Sequence, residues 1–213
     1  MRSKSCCCSS GFAGENMQNP YDPNSSKSVS GFDIPHLFST AAIYALPFGH
    51  GKPWLNRRIA ARVFGNWQLN GIVTMRSGEA FTPQTNSDIA NIGAVNNANR
   101  ARPDVVGDWH VDHPRPEAWF NKAAFAAPRQ FTYGNAGRNI LRSQSLKNVD
   151  LSLFREDRIT ERIKLQFRGE LFNTFNHPTF AIPQTVTTNL QFGQVSGTAS
   201  TARQIQLGVK VLF

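Results

Sequence analysis

The sequence predicts an all-β fold: about five antiparallel strands, each near ten residues, joined by loops of very unequal length. Two observations carry it. Apolar and polar residues alternate one by one over several segments, which places them on opposite faces of a strand. No apolar run reaches the ~18 residues that a membrane-crossing helix needs.

The strands follow in order. The first spans about residues 36–48, with Phe38, Ala42, Tyr44, Leu46 and Phe48 on one face. In the second, about 66–78, Trp67, Leu69, Gly71, Val73 and Met75 alternate with Gln68, Asn70, Ile72, Thr74 and Arg76. A third, about 146–156, sets Val149, Leu151 and Leu153 against Asn148, Asp150 and Ser152. The fourth, about 161–173, sets Ile163, Leu165, Phe167, Gly169 and Leu171 against Arg162, Lys164, Gln166, Arg168 and Glu170. The fifth, about 203–213, places Ile205, Leu207, Val209, Val211 and Phe213 opposite Gln204, Gln206, Gly208 and Lys210.

Alternation alone fits a soluble antiparallel sheet with one wet face as well as a membrane wall. Each segment is near the ~9–11 residues that cross a bilayer at a tilt. The connections favour the membrane. Strands three and four are joined tightly around Asp157-Arg158-Ile159-Thr160, whereas about 79–145 and about 174–202 are long. Structureless loops beyond ~15 residues are rare in compact soluble domains. Outer-membrane barrels carry long loops outside and short turns on the periplasmic side. With the C-terminus in the periplasm, both long loops fall outside and the tight turn inside. The expectation is a partial antiparallel transmembrane β-barrel with long extracellular loops. The connection about 49–65 is of middle length and falls inside. Its Leu55, Ile59 and Val63 share a helical face, with Arg58 and Arg62 on another. It is read as a linker helix packed on its own protein, with an interfacial helix as the other reading.

Composition agrees. Lys plus Arg number 23 and Asp plus Glu 14 among 213 residues, a net charge of +9. Charged residues are 17%, below the roughly one quarter of ordinary soluble domains. That excludes a coiled coil and a charged disordered tail. The three cysteines sit together as Cys6-Cys7-Cys8, which speaks against a disulfide framework or structural zinc. Met1 to Ser5 is polar and carries no apolar core of a secretory signal.

Candidate sites are few. His110 and His113, flanked by Asp108 and Asp112, have metal-ligand chemistry, but no helix pattern holds them, and a polar outer loop is the expectation. His177 before Pro178, with Asn173 and Asn176, reads as a turn. No nucleophile–base pair stands out; Ser77-Gly78 lacks the elbow that exposes a catalytic serine. Catalysis and cofactors are not expected. Nucleic acid is not expected either, because stacking needs rings and cations on one face. Here Arg162, Lys164 and Arg168 oppose Phe167. A basic single-strand binder remains an alternative, as does a secreted carbohydrate-binding sandwich using Trp109, Trp119 and Phe120.

An ordered motif series adds to this. Asn19-Pro20-Tyr21-Asp22 precedes Phe32-Asp33-Ile34-Pro35-His36 and Ala45-Leu46-Pro47-Phe48-Gly49. Gly65-Asn66-Trp67-Gln68-Leu69-Asn70-Gly71 and Ser77-Gly78-Glu79-Ala80-Phe81-Thr82-Pro83 follow. Then come Gly134-Asn135-Ala136-Gly137-Arg138-Asn139, Asn148-Val149-Asp150-Leu151-Ser152-Leu153-Phe154 and Phe172-Asn173-Thr174-Phe175-Asn176-His177-Pro178. The series closes with Phe192-Gly193 and the last strand. It resembles the C-terminal end of Oar-like TonB-dependent outer-membrane receptors, over about residues 16–213. Residues 1–15 match nothing in that pattern and are expected to be disordered.

The resemblance implies a large barrel around a plug, energised uptake of a ligand, and an outer-membrane location. It implies that Phe213, with Val211, Val209 and Leu207, forms the strand read by the barrel-assembly machinery. Arg162, Lys164, Arg168 and Lys210 would face the lumen. The expected partners are outer-membrane lipid, that machinery, the remaining strands and plug of a full-length receptor, and the inner-membrane energising complex. The chain as written shows no plug or coupling box. It is expected to be part of a longer protein, or to complete its ring with other chains.

Overall fold

The computed structural model describes residues 4–5, 17–19, 21–49, 52–54, 65–86, 88–91 and 101–213. Five strands form one open sheet: β1 (Leu37–Ala45), β2 (Trp67–Arg76), β3 (Leu146–Arg158), β4 (Lys164–Phe172) and β5 (Gln204–Leu212). Every pairing is antiparallel, and neighbours in sequence are neighbours in the sheet. All five expected strands are present. The predicted linker helix at 55–63 and the three cysteines lie outside the described residues.

Strand ends depart from the alternation for local reasons. β1 stops at Ala45, just ahead of Pro47, which has no N–H for a ladder. Leu46 still donates to the Trp67 carbonyl at 2.9 Å. Phe48, expected on the strand's apolar face, instead bridges to Trp54, their rings 6.1 Å apart. β4 starts at Lys164 because the tight link claims the residues before it. Ile159 and Thr160 both donate to the Ile163 carbonyl, and Ile163 donates to Thr160 Oγ1. Arg162 is therefore an exposed turn residue, not part of the strand.

At the other end of β4, Asn173 and Asn176 adopt positive φ of 50° and 53°. Asn173 Oδ1 accepts from the His177 N–H at 2.8 Å, and Asn176 Oδ1 accepts from the Arg203 N–H at 3.1 Å. The motif turns the chain out of β4 and ties the entry to β5. The predicted turn is present.

The described chain divides into two compact units. The sheet unit comprises His36–Arg76, Leu146–Pro178 and Thr201–Phe213. The loop unit comprises Met1–Pro35, Ser77–Ser145 and Thr179–Ser200. The up-and-down order means the chain enters β1, β3 and β5 and leaves β2 and β4 at one end of the sheet.

The loop unit corrects the expectation of structureless loops. Phe81, Phe120, Ala124, Phe125, Leu141 and Phe192 form a buried core drawn from segments far apart in sequence. Phe120, Phe125 and Phe192 meet edge to face, with centroids 5.1–5.7 Å apart, the geometry that aromatic quadrupoles favour. Two-residue ladders pin the core: Ala80–Phe81 with Leu141–Arg142, and Asp104–Val105 with Phe125–Ala126. Lys4–Ser5 pairs with Ser28–Val29, while the rest of 1–15 lies outside the described residues.

The Gly134–Asn139 motif is the polar hub of this unit. Asn139 accepts from Thr82 Oγ1 at 2.9 Å and donates to the Val29 carbonyl at 2.9 Å. Asn135 Oδ1 accepts from the Val105 N–H at 2.7 Å. At Gly134 a Cβ would sit 1.9 Å from the Arg102 carbonyl oxygen, so only glycine fits. Arg102 is buried, and its Nε–H donates to Gln18 Oε1 at 2.7 Å. Burial, and then the nearby Arg138 guanidinium, lower the Arg102 pKa below the usual arginine value.

Candidate functional site

The sheet has one apolar and one polar face, and residues paired across an antiparallel ladder share a face. Register puts Phe38, Ala42 and Tyr44 beside Met75, Gly71 and Leu69. It continues that face through Val149, Leu151 and Leu153 to Phe167, Gly169 and Leu171, then to Ile205, Leu207, Val209 and Val211. The face is not a core. Leu207 is 82% exposed, Ile205 66% and Val209 63%, against 4% for Phe120 in the loop unit. Sheets in water pack such a face against a second layer; here it stays open.

Charge marks where that face ends. Lys147 pairs opposite Met75 at the loop end, and Arg155 opposite Trp67 at the turn end. Arg155 lies over the Trp67 ring at 5.8 Å and pairs with Asp157 at 2.8 Å. Lys147 and Arg155 are eight residues apart, about 26 Å along a strand. At a tilt near 40° that is about 20 Å, close to the ~25 Å apolar band of outer-membrane barrels. Alternation alone missed this rim; a charged residue in an apolar phase position was its signal.

The opposite face is polar and charged. Arg76, Arg158, Lys164, Arg168 and Lys210 share it with Asp150, Glu156 and Glu170. Lys164 pairs with Glu156 at 2.9 Å and Arg168 with Glu170 at 3.1 Å. The Arg168 guanidinium also covers the Phe154 ring at 4.8 Å. Three of the four basic residues singled out from sequence thus share a face, whereas Arg162 does not join them. Their charge is balanced in part by neighbouring carboxylates, so the face is mixed rather than uniformly positive. Near β1 it turns apolar, with Leu37, Ala41 and Ile43 beside Arg76, Ile72 and Asn70.

In the terminal strand Leu207, Val209 and Val211 project from the apolar face. Phe213 follows the strand and is fully exposed.

The loop unit holds a cleft of about 500 Å³ whose lining includes Trp109, His110, Trp119, Arg142, Ser143 and Gln144. The volume lies within the roughly 300–1,000 Å³ of small-molecule sites. Trp119 Nε1 donates to the Arg142 carbonyl at 2.9 Å, and the Trp109 ring stacks on His110 with centroids 5.2 Å apart. Phe120, grouped with these tryptophans in sequence, is buried in the core and also borders the cleft, whereas Trp109 and Trp119 are partly buried against that core. His110 is held by Asp108: its N–H and its Nδ1 lie 2.9 and 2.7 Å from Asp108 Oδ1. The backbone and side-chain hydrogen bonds from His110 hold the Asp108 carboxyl below its ordinary pKa. Among the described residues no group of three or more His, Cys, Asp or Glu side chains is placed to hold a metal ion.

No curated protein and no solved structure matches the chain. A family model described as "Outer membrane beta barrel domain" matches residues 3–206. An antiparallel sheet with an open apolar face close in height to the outer-membrane apolar band fits such a domain. The chain belongs to the outer membrane beta barrel domain family and is a protein of the outer membrane.

Proposed function

We propose that this chain supplies wall strands and outer loops to a TonB-dependent, Oar-like receptor that takes up a ligand across the outer membrane by energised transport. The observation that carries the reading is the open, two-faced sheet. Its apolar face would meet lipid tails, and its polar face with Lys164, Arg168 and Lys210 would meet the lumen. The motif series from Asn19 to Phe213 supports the receptor family within the barrel class. The terminal Leu207–Phe213 pattern supports recognition by the barrel-assembly machinery.

Strand parity constrains the partners. The five strands among the described residues are fewer than the roughly eight of the smallest outer-membrane barrels. β1 and β5 run in the same direction. Joining the β5 edge of one copy to the β1 edge of another would make a parallel seam. Antiparallel closure instead takes an odd number of further strands. A longer receptor satisfies this, and a simple ring of copies does not. In hydrocarbon each unpaired backbone group costs several kcal/mol, so the edges demand those strands.

The test is fractionation and energised uptake in the native host. The reading expects the protein in outer membranes as a heat-modifiable species that crosslinks to the inner-membrane energising protein. Uptake through it would stop when the proton gradient is collapsed. A water-soluble monomer with a cooperative melt in the absence of detergent would refute the wall. A barrel that never crosslinks and transports without energy would refute the coupling alone.

A further inference from the structure

We propose that the cleft of the loop unit binds a neutral oligosaccharide. Two indoles line it, and each is fixed before any ligand arrives. Trp119 is held through its Nε1–H on the Arg142 carbonyl, and Trp109 by stacking on His110 at 26° between planes. Rigid aromatic rings offer large contact area at small entropic cost. Pyranose rings present C–H faces to them.

The polar atoms around the indoles suit hydroxyl groups. Gln144 Oε1 accepts from the Phe180 N–H at 2.6 Å, which orients its amide NH₂ as a remaining donor. Ser143 Oγ accepts from the Glu79 N–H at 2.9 Å, and its O–H remains to donate. His110 engages Asp108 through Nδ1, so Nε2 is the nitrogen left for a ligand.

Charge argues against ionic ligands. Arg142 is the permanently charged side chain among the described lining residues. Its guanidinium is taken by Asp33 Oδ2 at 2.6 Å and by the Gly78 and Asp33 carbonyls at 3.1 and 3.2 Å. No carboxylate is among the described lining residues. A phosphate would find no spare cation and a cationic chelate no anion, whereas a polyol uses the donors, the acceptor and the rings together. The inference deepens the uptake reading by naming a ligand class; it rests on that reading for the fate of the sugar, not for its binding.

The experiment uses the full chain in detergent, with tryptophan fluorescence and calorimetry as readouts. The probes are cellohexaose and maltohexaose in one arm and purified O-polysaccharide in the other. Saturable, salt-insensitive binding in either arm supports the proposal, and the arm that responds separates free sugars from envelope glycans. Trp109→Ala should weaken binding about tenfold or more. His110→Ala, at an exposed position, should weaken it severalfold with the fold intact. No binding in either arm, or binding that neither substitution changes, overturns the proposal. Binding that persists where energised uptake is absent would instead defeat the uptake reading and leave the cleft assigned.

Discussion

Replacing Leu207 by arginine tests the assignment of the two faces most directly. Leu207 lies near the middle of β5, opposite Gly169, and 82% of it is open in the sheet. Leucine there gains most of the ~1.5–3 kcal/mol available for burying such a side chain, once lipid covers it. Arginine at the bilayer midplane of a barrel costs about 2–4 kcal/mol. Leu207→Arg should therefore destabilise the assembled barrel by about 3–6 kcal/mol. The neighbouring Gln206→Arg points to the other face, opposite Glu170, and should cost about 1 kcal/mol or less. Denaturant unfolding of the receptor in lipid vesicles, with heat-modifiable mobility as a folded-state check, measures the difference. Equal costs at 206 and 207, or a tolerated Leu207→Arg, would refute the reasoning, because adjacent residues of a strand cannot both face lipid.

Three further predictions concern the loop unit. Phe120→Ala should cost it about 3–5 kcal/mol, the range for emptying an aromatic core site, seen as faster proteolysis within 77–145 while the barrel's heat-modifiable mobility is unchanged. Gly134→Ala should open the same unit, since the new methyl would collide with the Arg102 carbonyl oxygen; loss of amide-exchange protection at Asn135 and Asn139 reports it. The Asp108–His110 turn should depend on acid in one direction. The folded carboxyl titrates below its unfolded value, so the turn's contribution is complete above the ordinary carboxylate pKa of about 3.9. It fades as pH falls through the lower folded value. Amide exchange at His110, followed downward from neutral pH, should show protection lost only in that acid range.

Much of the sheet was legible because a strand writes its structure locally. Period-two alternation needs no knowledge of distant residues, and Trp67 to Met75 or Ile205 to Val211 carry it in a few positions. Turn chemistry is local too, as Asn173 and Asn176 show. The strand end at Ala45 and the late start of β4 escaped because a proline and a tight turn override the alternation there. The tryptophans of the cleft were visible as loop aromatics, but not how deep each ring sits: Trp109 and Trp119 are partly buried against the core, while Phe120 belongs to it and borders the cleft.

The sequence by itself determined the strands, their two faces, the unequal connections and, through the motif order, the barrel class. Only the tertiary structure decided that the long connections fold into a unit of their own. That unit brings together Phe81, Phe120 and Phe192, whose contacts span many tens of residues and follow no period. Likewise only register reveals that Lys164 meets Glu156. A face is a property of one segment; a core and an ion pair across strands are properties of segments that must first find each other.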